Sequence, residues 1–488
     1  MEQSASTVTS CSGYKAKGYQ ASDDLVQIRP SQLIVPQRGL WGPPSKYNIL
    51  ACSRERSVAR SPIYGMGNQN FATLLSDLPH PKQYEDLYKH FHSHPELSLQ
   101  ESRTASTIAS HLESLGAGYD LHTSIGGHGL AGVLRNGSGP TVLLRADIDA
   151  LPVLEKTDLP YASKVTMRDV ADGIEKPVMH ACGHDMHITC LLAAAEKMAN
   201  IKSLWKGTLI VLFQPNEERA GGAQAMVDDA LYDKIPIPDV VLGQHVMPLR
   251  AGRVGNRQGG IMGAADSFKV TLFGRGGHGS MPHRCVDPVV LAANVVLRLQ
   301  NIVSREINPA DAAVVTVGAV QAGSAENVIE DKAVLKINTR TTSTATREKV
   351  LASVRRIIKA ECEASNSPKE PIIEATSSFP LTINDEHVAS RLASSFNECF
   401  GEAFEPDTDP TNGSEDVSIL ATSKGRPYNF WFFGGVDPDL WDRAHREGRA
   451  FEDVPVNHSP FFAPVIQPTM SVGIRALCVG ALTFLERR

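Results

Sequence analysis

The chain has 488 residues, enough for two to four domains of about 100–200 residues each. Its formal charge is −6, with 42% hydrophobic and 21% charged residues, which excludes a generally basic nucleic-acid-binding chain and fits a soluble protein with a sizeable core. No apolar run approaches the ~20 residues needed to span a bilayer, and eight irregularly spaced cysteines exclude a disulfide scaffold and point to free thiols in a reducing, cytoplasmic compartment.

Residues 1 to about 70 are rich in Ser, Gly, Gln and Pro, lack sustained periodicity, and contain breakers such as Gly42-Pro43-Pro44-Ser45. They read as a disordered extension running to about residue 76, with the ordered chain starting near Pro79. Tyr84–Phe91 and Ser102–Leu115 have helical apolar spacing. Thr141–Leu144 is a short apolar strand that runs into Arg145-Ala146-Asp147-Ile148-Asp149. Met186–Met198 is helical. Thr208–Phe213 is a strand ending in Gln214-Pro215-Asn216-Glu217-Glu218, and Val240–Leu242 is another ending in Gly243-Gln244-His245. Continuous apolar strands separated by helices predict an α/β fold with a doubly covered, mixed but mostly parallel sheet. Polar residues fall just past the strand ends, where open α/β sheets place their sites.

The rhythm then changes to strand–helix–strand–strand–helix–strand: Phe268–Leu272, Val289–Leu299, Val314–Val320, Val334–Thr341, Arg347–Ile358 and Ile372–Thr376. That order predicts an inserted ferredoxin-like α+β domain over residues 265–378. It divides the catalytic domain into residues 77–264 and 379–488.

Five segments carry chemistry. In His180-Ala181-Cys182-Gly183-His184-Asp185, a thiol and two imidazoles precede a helix and can converge on a metal, with Asp185 placed to hold an imidazole nitrogen. Of the adjacent Glu217 and Glu218, one can bind metal while the other acts as a general base. His245, His458 in Val456-Asn457-His458-Ser459-Pro460, and the carboxylates Asp147 and Asp149 complete a set sufficient for two divalent ions. A lone histidine or a Glu-Glu pair is usually a surface feature; their joint placement at strand ends argues otherwise.

These segments, together with Gly276-Gly277-His278, Asn327-Val328-Ile329 and Gly413-Ser414-Glu415-Asp416, closely resemble the binuclear metallo-amidohydrolase family of aminoacylase-like and carboxypeptidase-like enzymes. The branch they resemble most is that of hippurate and indole-acetyl-amino-acid hydrolases. The resemblance runs from about Pro79 to the C-terminus. It implies Cys182, His184, Glu218, His245 and His458 as ligands of two divalent ions, Zn or Mn, with Cys182 between them. Glu217 matches the general base acting on a bridging water, Asp147 and Asp149 a supporting acidic pair, and His278 a histidine that closes over the site to meet the oxyanion. Asn327 and Arg340 match positions near a substrate carboxylate, and the inserted domain implies a lid and a homodimer interface.

Three departures stand out: Arg219-Ala220 where this branch has glycines, Glu330 where it has Pro, and Lys336-Ile337-Asn338-Thr339 ahead of Arg340. The expected activity is hydrolysis of the amide bond of N-acyl amino acids or related small amides. A carboxypeptidase- or dipeptidase-like exopeptidase is the alternative, and a non-catalytic metal-binding relative would require loss of Glu217 or a ligand. Gly274–Gly279 fits a dinucleotide fingerprint formally, but Pro282 follows instead of a helix opening. Ser280 lacks the nucleophile-elbow context of a serine hydrolase.

Overall fold

Alternate residues of the central strands face two different cores, which is why those strands read as unbroken apolar runs. Val142 and Leu144 pack into one hydrophobic cluster and Leu143 into the other; Leu209, Val211 and Phe213 are likewise divided from Ile210 and Leu212. The computed structural model describes residues 71–75, 77–79 and 81–487. Its large sheet has the strand order 120–125, 129–136, 205–214, 141–147, 240–250, 428–436, 254–255, 404–405. The four central strands, Trp205–Gln214, Thr141–Asp147, Val240–Arg250 and Tyr428–Val436, are mutually parallel. Asp120–Ile125 and Gly129–Asn136 form an antiparallel pair at one edge.

Helices cover both faces. His184–Asn200 and Thr469–Phe484 are buried on nearly every side. Ala193, Ala194 and Ala195 make the first of these thin enough to sit inside the core. Among the described residues no helix is long and apolar enough to cross a membrane.

A second sheet has the antiparallel order 313–322, 332–341, 264–273, 372–379. Pro288–Asn301 and Thr344–Ala364 pack with it around a separate hydrophobic cluster. Both helices begin on side-chain caps, Asp287 accepting from the Val289 and Val290 amides and Ser343 from Thr346. This is the ferredoxin-like order that the sequence rhythm predicts. The chain enters and leaves through the paired strands Gly259–Met262 and Thr382–Asn384.

Three expectations need correction. Phe71 and Leu75 are buried in the core, and the Phe71 amide donates to Glu398 Oε1 at 3.2 Å, so the folded part reaches back before residue 77. The assignment of the earlier residues to a disordered extension lies outside the described residues. The antiparallel strands Asp120–Ile125 and Gly129–Asn136 are additional to the predicted elements; polar His122 and Thr123 interrupt the pattern of the first. The third central strand does not stop at Leu242: it runs to Arg250, so His245 sits within a strand and not past its end.

Candidate metal centre

The C-terminal ends of the parallel strands bring the candidate residues together. Asp147 ends one strand and Gln214 the next, and the turn that follows carries Glu217 and Glu218. Asn216 opens that turn with φ +52°, its carbonyl accepting from the Gly221 and Gly222 amides. Gly183 separates Cys182 from His184 with φ +82°, and a Cβ there would lie 2.4 Å from Val246 Cγ1, so only glycine fits. His458 is itself left-handed at φ +70°. Its amide donates to Ala181 at 2.8 Å, while Asn457 Nδ2 reaches the Cys182 and Val246 carbonyls, both at 3.2 Å.

All five expected ligands meet at one cleft. Cys182 Sγ lies 3.4 Å from His245 Nε2. His184 Nε2 lies 3.7 Å from Glu218 Oε1, and His458 Nε2 lies 3.5 Å from Glu218 Oε2. The donor atoms of Cys182, Glu218 and His458 are all within 4.8 Å of one another, so the thiol joins the two groups. Donors held ~2.0–2.3 Å from a shared cation stand roughly 3.3–3.8 Å apart. These spacings fit that arrangement, and the two between histidine and Glu218 are too long for good N–H···O hydrogen bonds. The buried atoms His184 Nε2 and Glu218 Oε1 have no hydrogen-bond partner. A cation between them removes the cost of leaving both unsatisfied.

The other ring nitrogens fix the tautomers. His184 Nδ1–H donates to the Asp149 carbonyl at 2.9 Å, and His245 Nδ1–H to the Val246 carbonyl at 2.7 Å, leaving each Nε2 as a lone pair aimed at the cleft. His187 also lies close, grouped with Asp147, His184 and His245. It is not a free donor: its Nε2 accepts from the Val246 amide at 2.8 Å and its Nδ1–H donates to Asp147 at 2.5 Å. His187 is therefore not one of the donors left free toward the cleft.

Electrostatics point the same way. Asp147, Asp149, Glu217, Glu415 and Asp416 are buried together beside the half-buried Glu218, and Arg145, itself buried, pairs with Asp147, Glu415 and Asp416. Its guanidinium donates to Asp147 at 2.7 Å, to both Glu415 oxygens at 2.8 and 3.1 Å, and to Gln214 at 2.9 Å. Burial, with Glu415 and Glu218 adding repulsion, pushes Glu217 well above the usual carboxylate range. Burial raises Glu218 to about 8, and burial with Glu218 and Glu217 drives the Cys182 thiol well up. Divalent cations would reverse this and leave both groups ionised. The residues present fit two such ions.

Other expected residues are placed unevenly. Asp149 Oδ2 accepts from the Glu218 amide at 3.0 Å, as a supporting carboxylate should. Asp185 does hold an imidazole, but that of His92, at 2.6 Å, and not a ligand's. Arg340 reaches the cleft from the second sheet and donates to the Asn412 carbonyl at 2.9 Å. His278 and Asn327 do not reach it. They sit side by side on an exposed two-stranded ribbon, with the Gly279 amide donating to Asn327 O and Ser280 donating to His278 Nδ1.

The cleft, about 450 Å³, is also lined by Met247, Met262 and Phe379, which lie in no chemically suggestive motif, and by Val456, which opens the His458 segment. Arg219 turns away to Asp169 at 2.7 Å and does not line the cleft, while Asn338 accepts from Arg340 Nε at 3.3 Å. Glu330 accepts from Ser324 on the same exposed ribbon.

The model of peptidase family M20/M25/M40 matches residues 143–456, a span containing every candidate ligand except His458. The chain belongs to this family. It is 37% identical to hippurate hydrolase of Campylobacter jejuni over 351 residues, 71% of this chain and 87% of the relative. It is 32% identical to thermostable carboxypeptidase 2 of Saccharolobus solfataricus over 418 residues, 83% of this chain and 97% of the relative. The crystal structure of Bacillus subtilis YXEP, described as a dinuclear metal-binding peptidase of family M20, superimposes with a TM-score of 0.62 at 25% identity, covering 83% of this chain and 98% of that one. This M20 chain is thus a hydrolase of the amidohydrolase and peptidase class, with a site that fits two metal ions.

Proposed function

We propose that the protein hydrolyses the amide bond of N-acyl amino acids, with Cys182, His184, Glu218, His245 and His458 holding two divalent ions and Glu217 moving the proton. The convergence of five donors at cation-sharing distances around buried, unpartnered His184 Nε2 and Glu218 Oε1 carries the reading. Bound divalent ions supply Lewis-acid polarisation of a carbonyl and acidify water. The thiolate leans the choice toward Zn, while Mn also suits the N/O/S set.

The chain's own residues supply the rest. Glu217 lines the cleft without being one of the five donors, and burial together with its acidic neighbours raises its proton affinity. It takes a proton from the attacking water at a carboxylate oxygen and returns it to the leaving nitrogen. Arg340 offers a guanidinium to the product amino acid's carboxylate. Met247, Met262, Phe379 and Val456 form an apolar wall for the acyl group. Residues 265–378 act as a lid and homodimer surface, and only such a movement or a second copy brings His278 and Asn327 to the substrate.

The test is a hydrolysis screen of metal-reconstituted protein on N-benzoyl- and N-acetyl-amino acids against dipeptides. Preferred turnover of N-acyl amino acids is expected. Preferred turnover of dipeptides supports the exopeptidase alternative, toward which the carboxypeptidase relative leans.

A further inference from the structure

His92 lies on the first long helix, Pro81–Ser93, in no motif that touches the cleft, and its ring is fully buried. It stands between two carboxylates. Nδ1 is 2.6 Å from Asp185 Oδ2 and Nε2 is 2.9 Å from Glu155 Oε1. Tyr88 and Tyr161 pack on the ring at centroid distances of 5.7 and 5.3 Å and shut out water. Burial lowers the pKa of such an imidazole, but here both carboxylates outweigh it and raise the value to about 9.

The two carboxylates belong to different parts of the metal centre. Asp185 directly follows His184 at the start of the His184–Asn200 helix, and its Oδ1 accepts from the Met186 amide at 2.9 Å. Glu155 organises the loop 155–163, accepting from the Ser163 amide at 2.5 Å and from the Thr157 hydroxyl. In that loop the Lys156 amide donates to the Pro460 carbonyl at 2.8 Å, two residues beyond His458. One unbroken path thus joins His184 to His458: Asp185, His92, Glu155, Lys156, Pro460.

We infer that His92 is a positioning residue that fixes the distance between the His184 helix and the loop carrying His458. The inference rests on the metal-centre reading above. An imidazole is suited to this because its compact ring can donate from two opposite edges to two buried carboxylates at once, and its protonated form offsets part of their charge. Glutamine at this site could bond one carboxylate only and carries no charge.

The experiment uses the full chain, stripped with a chelator and titrated with Mn, as wild type, His92→Gln and Glu155→Gln. Glu155→Gln keeps the His92–Asp185 contact and decides the matter if His92→Gln does not fold. Wild type should take up two ions. Both variants should bind the first ion as wild type does and the second about 10-fold more weakly, the usual scale for loss of a group that orients a ligand. Turnover of N-benzoylglycine at a fixed Mn concentration should fall in kcat with KM held. Variants that melt at lower temperature but bind both ions with wild-type affinity and keep kcat would overturn the inference and reduce His92 to a stabilising contact. Failure of wild type itself to bind an ion would overturn the metal-centre reading along with it.

Discussion

Glu217 and Glu218 are neighbours in one turn, yet they face different partners. Glu218 reaches His184 with one oxygen and His458 with the other. Glu217 lies within 4.8 Å of His184 and Glu218 but also of Glu415 and Asp416, which Glu218 does not approach in the same way. That division predicts opposite phenotypes for two isosteric changes. Glu217→Gln should cut kcat by ~10²–10⁴-fold with metal content unchanged, because an amide cannot carry the proton. Glu218→Gln should lose metal, because an amide is a poor ligand where charge is needed. Metal analysis alongside kcat separates them, and swapped phenotypes would reverse the assignment. The same reasoning removes His187 from the ligand set, since the Val246 amide and Asp147 use both of its nitrogens.

Strand ends and the segments after them are where this site is built, and Arg145 ties them together. It reaches Gln214 from the adjacent strand and Glu415 from the loop before the helix Ser418–Thr422. Removing one partner of such a buried set leaves unpaired charge, so Arg145→Met should destabilise the fold by about 3–5 kcal/mol. Equilibrium denaturation measures this, and an unchanged midpoint would contradict it. The central strands and the ferredoxin-like order were legible from periodicity, because two-faced burial and half-burial leave different patterns in Val142–Leu144 and Phe268–Leu272. The residues that meet at the cleft were legible from their motifs. What was not legible is pairing across the chain: nothing local to Asp185 says that it meets His92 rather than a ligand, and nothing in Arg145-Ala146-Asp147 says that the arginine turns inward to Glu415. Nor does the resemblance of His278 and Asn327 to family positions fix where the ribbon that carries them stands.

At the scale of the whole molecule, the second sheet supplies Arg340 to the cleft while His278 stays outside it. If residues 265–378 close over bound substrate, His278→Ala should lower kcat by ~10²–10³-fold with metal content unchanged, as for loss of an oxyanion donor. Near-full kcat would leave His278 as a surface residue. Deleting residues 1–70 should leave fold and activity intact, because that segment lacks apolar periodicity while Phe71 and Leu75, which are buried, are retained. An insoluble or inactive truncation would show that the segment is structural. The central claim is that five side chains from separate elements hold two divalent ions. Elemental analysis of the reconstituted, desalted wild-type protein beside Glu218→Gln tests it most directly: about two ions per chain in wild type and clearly fewer in the variant are expected, whereas no stoichiometric metal in wild type, or equal metal in both, would contradict it.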